Sequence, residues 1–207
     1  MAKGGKTRRL KFSSVPILAR RKSRSFFITI RFGSLVNPEP RDLYRRCFGS
    51  RQILAGLKEA GINLVASVPD INLLHLINLL YADKEITHIP VGREEEGIGV
   101  CTGAYVGGKR VAMLMQNGGL MNSCNGLTTT ALQFGIPILL LVYYAGEMGD
   151  NAFHMLGLVT EPVLDGLGIK YAVMRDAAKV KTQIIEAVTA AEASKRPVAV
   201  LLTRAVL

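Results

Sequence analysis

From about residue 46 onward, short and almost unbroken apolar runs alternate with longer stretches whose apolar residues recur every three or four positions. The runs are "NLVASVP" (63–69), "THIPV" (87–91), "RVAMLMQ" (110–116), residues 136–143, "IKYAVM" (169–174) and "RPVAVLLT" (196–203). Each has strand length and is bounded by turn-forming residues. The intervening periodicity predicts helices over 50–62, 71–83, 94–107, 120–134, 160–167 and 176–194, with a loop over 145–158. Ser50 is placed to cap the first helix, and Gly61 suits the position just past its end. Strands apolar throughout their length need cover on both faces. The pattern therefore predicts an α/β fold: a parallel sheet of about six strands with helices on both faces. Ligands of such sheets bind beyond the carboxyl ends of the strands. Three segments leave strands there: "SVPD" (67–70), "VGREEEG" (91–97) and "MQNGGLMNS" (115–123).

Charge divides the chain in two. Residues 1–35 carry ten Lys or Arg and no Asp or Glu, which leaves 16 basic and 16 acidic groups in residues 36–207. The net charge of +10 thus belongs to the N-terminal stretch, and the body is neutral. Residues 1–45 read as a basic extension without a core of its own, and residues 46–207 as one domain. The extension has three readings: a solvated arm, an organelle transit peptide, or translated sequence upstream of the true start. The first and third leave the protein in the cytoplasm, and the second sends it to an organelle. A neutral body without a basic stripe interleaved with aromatics argues against nucleic-acid binding. "PILLLVYY" (137–144) is too short to cross a membrane and reads as a buried strand. Cys47, Cys101 and Cys124 form no CxxC pair and no metal-ligand spacing with His75, His88 or His154, so they read as reduced thiols in a reducing compartment.

The segment "PVGREEEGIGVCTGAY" (90–105) sets three carboxylates before a run rich in glycine. Acids in the first turn of a helix are favoured by its dipole, by about 0.3–1 kcal/mol each, so the triplet has a purely structural explanation. Adjacent helical side chains diverge by about 100°, however, so the three cannot share one task. Glu95 falls on a stripe with Ile98, Gly99, Thr102 and Val106, which is expected to be buried. Gly97, Gly99 and Gly103 each cost a helix about 1 kcal/mol relative to alanine, a cost that makes sense where a backbone or flat ligand approaches closely. "SVPD" reads as a strand-ending turn in which Asp70 caps the helix from Ile71, and "MQNGGL" as a glycine turn opening a helix whose N–H groups are available to an anion.

The stretch "PVGREEEGIGVCTGAYVGGKRVAMLMQNGGLMNSCNGL" resembles the thiamin-diphosphate enzymes, in particular the family of sulfopyruvate decarboxylase α subunits and the related phosphonopyruvate decarboxylases. The resemblance runs from about residue 50 to the end. It implies a pyrimidine-binding domain of the thiamin-diphosphate fold and a 2-keto acid decarboxylase. The implied reaction is sulfopyruvate to sulfoacetaldehyde plus CO2, within coenzyme M biosynthesis, with phosphonopyruvate as the alternative substrate. A second alternative is a non-catalytic assembly or regulatory subunit that keeps the fold.

In that family the working carboxylate stands ten residues before a tyrosine, and Glu95 matches, with Tyr105 downstream. The resemblance implies that Glu95 hydrogen-bonds N1′ of the cofactor's aminopyrimidine. It places Gln116, Asn117 and Gly119 beside the cofactor, and Asn117 also near the substrate. Asp70 is the counterpart of a family acid that relays protons, although the glycine that usually precedes this acid is missing. Relatives carry serine where Gly118 stands and a basic residue before the "GE" of the later loop, where this chain has Ala145. Arg93 and His154 are therefore the candidate contacts for an anionic substrate. No GDG sequence occurs here. The resemblance thus implies a hetero-oligomer in which a β subunit binds the diphosphate and Mg2+, with no metal ligand supplied by this chain.

Overall fold

The architecture is built outward from β4 (Ile138–Tyr143), a six-residue strand in which every residue is buried. Six consecutive apolar side chains alternate across a pleated strand, so both faces demand cover. In the computed structural model, residues 40–150 and 152–207 are described, with side chains from Cys47 onward. The strands are β1 (Leu64–Ser67), β2 (Thr87–Pro90), β3 (Val111–Gln116), β4, β5 (Lys170–Met174) and β6 (Val198–Leu202). They form one all-parallel sheet in the order β2-β1-β3-β4-β6-β5. The predicted fold class is the one observed.

One face is covered by α1 (Pro40–Glu59), α2 (Leu74–Ala82) and α7 (Val180–Ser194). Ile53, Leu76, Leu80 and Ile184 pack there on Val65, Leu114, Leu141 and Val200. The other face carries α3 (Glu94–Val106), α4 (Asn117–Asn122), the single turn α5 (Cys124–Gly126), a π-helical turn (Leu127–Leu132) and α6 (His154–Leu167). Ile98, Cys101, Leu120, Leu127 and Leu164 meet Ala66, Met113, Met115, Leu140 and Leu201 on that side.

The chain leaves β1 toward β2 and then returns past β1 to β3. The switch point of the topology therefore lies between β1 and β3, where sheets of this kind form a ligand crevice at the strands' carboxyl ends. Asp70, just after β1, and Gln116, at the end of β3, emerge on either side of it.

Several boundaries differ from expectation. The first helix begins at Pro40 instead of residue 50, and Ser50 is buried within it and caps nothing. Proline fits the first helical turn, where its missing N–H has no partner to lose, but residues 41–46 show too little apolar periodicity to betray the helix. The break drawn at residues 45/46 falls inside α1. Of the basic extension expected over 1–45, residues 1–39 lie outside the described residues. Gly61, at φ +74°, does close the helix as anticipated. Residues 71–73 form a turn before α2, and the expected helix over 120–134 starts at Asn117 and is broken at Ser123. The predicted loop over 145–158 is shorter, because α6 begins at His154 and runs on through Pro162. Among the described residues, no helix is long and apolar enough to cross a membrane.

Candidate active site

The three glutamates of α3 fan out as helical geometry requires, and each meets a different surface. Glu96 Oε2 accepts the backbone N–H of Gly92 at 3.0 Å, an N-terminal capping contact. Glu94 lies over Gly119 of α4, where an added Cβ would stand 2.2 Å from Glu94 Cγ. Glu95 is half-buried. Its Oε1 accepts Asn125 Nδ2–H at 2.9 Å, and its Cγ would sit 3.0 Å from a Cβ on Gly126. Its other oxygen has no protein donor among the described residues.

The expected stripe is not the buried one. Gly97, Ile98 and Cys101 face the sheet, whereas Gly99 is exposed and Val106 is 76% exposed. The sheet contacts α3 along a stripe displaced by one residue, which turns Glu95 sideways toward α5 instead of into the core. That rotation keeps the carboxylate accessible while α5 walls one side of it.

At the switch point, Asp70 Oδ1 accepts the N–H of Asn72 at 2.6 Å, and Asp70 Oδ2 accepts Gln116 Nε2–H at 3.2 Å. Turn cap and cleft contact thus coexist in one carboxylate. Because helix α2 starts only at Leu74, the cap serves the turn before the helix. There is no direct hydrogen bond between Glu95 and the Asp70–Gln116 pair.

Asn117 lies behind the cleft and is fully buried. Its Nδ2 donates to Ala145 O and Thr160 Oγ1, both at 2.8 Å, and its Oδ1 has no protein partner. It therefore ties the start of α4 to the β4–α6 loop. Gly119 is buried beneath Glu94. Arg93 is exposed and forms no ion pair among the described residues. His154 is exposed at the first position of α6. Ala145 is wholly buried, so its position offers no basic side chain to the cleft. His88 is tucked under α2, with Nε2 2.8 Å from Ser67 Oγ and its ring edge-on to Tyr81, a structural setting.

Burial pushes the Cys101 thiol up to about 12 and raises that of Cys124 as well, so neither is a ready nucleophile. Among the described residues, no cluster of three His, Cys, Asp or Glu side chains has the arrangement of a metal site.

Sequence reasoning missed Asn125, Gly126 and Thr160. Nothing in the pattern marks the first two, because they depend on the break at Ser123 that rotates α5. Three successive threonines, Thr128, Thr129 and Thr130, hint at that irregularity: each hydroxyl bonds the carbonyl four residues back.

Residues 48–156 match the model of the thiamine pyrophosphate enzyme N-terminal TPP binding domain. The chain belongs to that family. It is 43% identical over 124 residues to a protein of Methanococcus maripaludis named sulfopyruvate decarboxylase subunit alpha, covering 59% of this chain and 74% of the relative. A protein of the same name from Methanothermobacter thermautotrophicus is 39% identical over 155 residues, covering 74% of this chain and 94% of the relative. The fold is shared with 2-oxoglutarate:ferredoxin oxidoreductase from Magnetococcus marinus, at a TM-score of 0.59 and 17% identity, over 76% of this chain and 29% of that one.

The residues suit the family's cofactor. A carboxylate with one oxygen secured and the other unoccupied can accept a ring N–H. Gly119 and Gly126 keep the surface beside the glutamates low. Glu95 thus presents one carboxylate oxygen, uncommitted among the described residues, at the edge of α3.

Proposed function

We propose that the chain is the α subunit of a thiamin-diphosphate-dependent 2-keto acid decarboxylase that converts sulfopyruvate to sulfoacetaldehyde and CO2. Support comes from two relatives named sulfopyruvate decarboxylase subunit alpha, one matched over 94% of its length, and from the switch-point crevice. The observation that carries the reading is Glu95: half-buried, held at one oxygen by Asn125 and open at the other. Thiamin diphosphate, when bound, supplies the electron sink that decarboxylation requires. The chain's own part is to orient the pyrimidine and to hold a proton at N1′ through Glu95. Asp70, paired with Gln116, is placed to pass protons at the cleft. Gly119 contributes space beside the ring, and Asn117 keeps the α4 turn and the β4–α6 loop together at its edge. Arg93 and His154 are the exposed cationic and titratable groups available to an anionic keto acid. A β subunit contributes the diphosphate and Mg2+ half, so the working enzyme is a hetero-oligomer. The reaction sits in coenzyme M biosynthesis, and the free thiols suit the cytoplasm.

The test is co-expression with the partner chain followed by measurement of CO2 release from sulfopyruvate and from phosphonopyruvate. Sulfopyruvate is expected to turn over faster. Glu95→Gln is expected to leave assembly intact and lower kcat by roughly 100-fold or more, the scale of a lost proton-transfer partner. Undiminished turnover by Glu95→Gln would remove the catalytic reading and leave an assembly subunit.

A further inference from the structure

We propose that Asn125 is the positioning residue for Glu95, fixing one carboxylate oxygen so that the other is presented to the cofactor. The inference rests on the reading of Glu95 given above and deepens it. Chemistry fixes the direction of the bond. A carboxylate only accepts, so the 2.9 Å contact must be Asn125 Nδ2–H donating to Glu95 Oε1. With Oε1 engaged, rotation of the carboxylate about its last torsion is restrained, and Oε2 keeps one direction.

The backbone beneath Asn125 is shaped for this. Ser123 ends α4, and its buried hydroxyl bonds Gly119 O at 2.8 Å. Alpha5 is then a single turn, and a π-helical turn follows at once. Pi-helical turns inside helices recur at functional sites because they re-aim side chains. Here three threonine hydroxyls bond the carbonyls of Cys124, Asn125 and Gly126, the three residues of α5. The segment that carries the amide is thus fastened at each of its carbonyls. Gly126 completes the arrangement, since a Cβ there would stand 3.0 Å from Glu95 Cγ and lift the glutamate off its support. A bond between two side chains at the surface contributes little to folding, because water competes for both partners. An apparatus this specific therefore serves orientation more than stability.

The test is a titration of the assembled hetero-oligomer with thiamin diphosphate by calorimetry, comparing Asn125→Ala, Asn125→Asp and Asn125→Gln. A merely space-filling asparagine would tolerate the isosteric aspartate better than alanine. A donor to Glu95 predicts the reverse order: Asn125→Asp weakens cofactor binding at least 10-fold, Asn125→Ala about 3-fold, and Asn125→Gln less than either. An aspartate as mild as wild type, or milder than alanine, overturns the proposal. Glu95→Gln in the same titration separates the two levels of argument. If it binds cofactor and turns over like wild type, the reading of Glu95 itself falls. If it is impaired while all three Asn125 variants are normal, the positioning role alone falls. The double variant Glu95→Gln with Asn125→Asp restores a donor–acceptor pair in the opposite sense. It is expected to bind no worse than Glu95→Gln alone, and a further 10-fold loss would contradict the direct contact.

Discussion

Glycine placement is as informative as the glutamates it serves. Gly119 and Gly126 sit where a methyl group would strike Glu94 and Glu95 respectively. Their substitution should separate packing from chemistry. At Gly119 the added carbon would lie 2.2 Å from Glu94 Cγ, so Gly119→Ala is expected to destabilise the fold by about 1–3 kcal/mol in a urea titration, as overpacked sites do. At Gly126 the contact of 3.0 Å can be relieved by moving Glu95 alone. Gly126→Ala is therefore expected to keep its melting temperature within a few degrees yet lose 10-fold or more of kcat. A variant that melts early and turns over normally would show that Gly126 serves packing only. The candidate glutamate could be proposed from the sequence, because its spacing to Tyr105 is a linear property. Its support was not. Asn125 reaches Glu95 only after the chain breaks at Ser123 and widens into a π-turn, and neither event leaves a periodic trace. Asn117 was legible as part of the motif, but its burial behind the cleft depends on Thr160, 43 residues away.

At the level of elements, the strands were readable and the helix ends were not. Beta4 is apolar at every position because both of its faces are covered, and such runs stand out whatever surrounds them. Helix ends are set by local capping that tertiary contacts override, as in α1, which runs back to Pro40, and in α6, which tolerates Pro162. Alpha3 shows the same tension, since its hydrophobic pattern is diluted by glycine. Gly99 has open space around its position. Gly99→Ala should therefore gain helix propensity without a clash, raising the isolated chain's stability by about 1 kcal/mol, or about 2–4 °C in melting temperature. No change or a fall would mean that another part of the chain occupies that space. The edge strand β2 offers a second test. Burial holds the His88 imidazole below its usual value. The unfolded chain then takes up a proton, as pH falls below about 6.5, that the folded chain still refuses. Stability is full above that pH and declines as pH drops toward the lower folded value. His88→Gln removes this titration while keeping a partner for Ser67. It is expected to flatten the decline in melting temperature between about pH 6.5 and 5, and an unchanged slope would assign the decline to other groups.

For the whole molecule, the decisive property is the division of labour that the proposed function requires. Residues 36–207 are neutral overall, with 16 basic and 16 acidic groups, so the body carries no surplus of positive charge with which to neutralise a diphosphate. The described residues also include no convergent set of metal-binding side chains. A diphosphate brings several negative charges, and a divalent cation with oxygen ligands is the usual means of holding it. On the proposed function those ligands are expected on the partner chain, and metal dependence is expected only after assembly. The isolated chain is expected to melt at the same temperature, within about 1 °C, with or without excess chelator. A metal that bound the folded chain at 100 times its Kd would shift stability by about 2.7 kcal/mol and be readily seen. The hetero-oligomer is expected to lose activity on chelator dialysis and recover it with Mg2+, with thiamin diphosphate released in the same step. Early melting of the isolated chain in chelator would reveal a metal site on this chain and move the cation to the pyrimidine side of the interface.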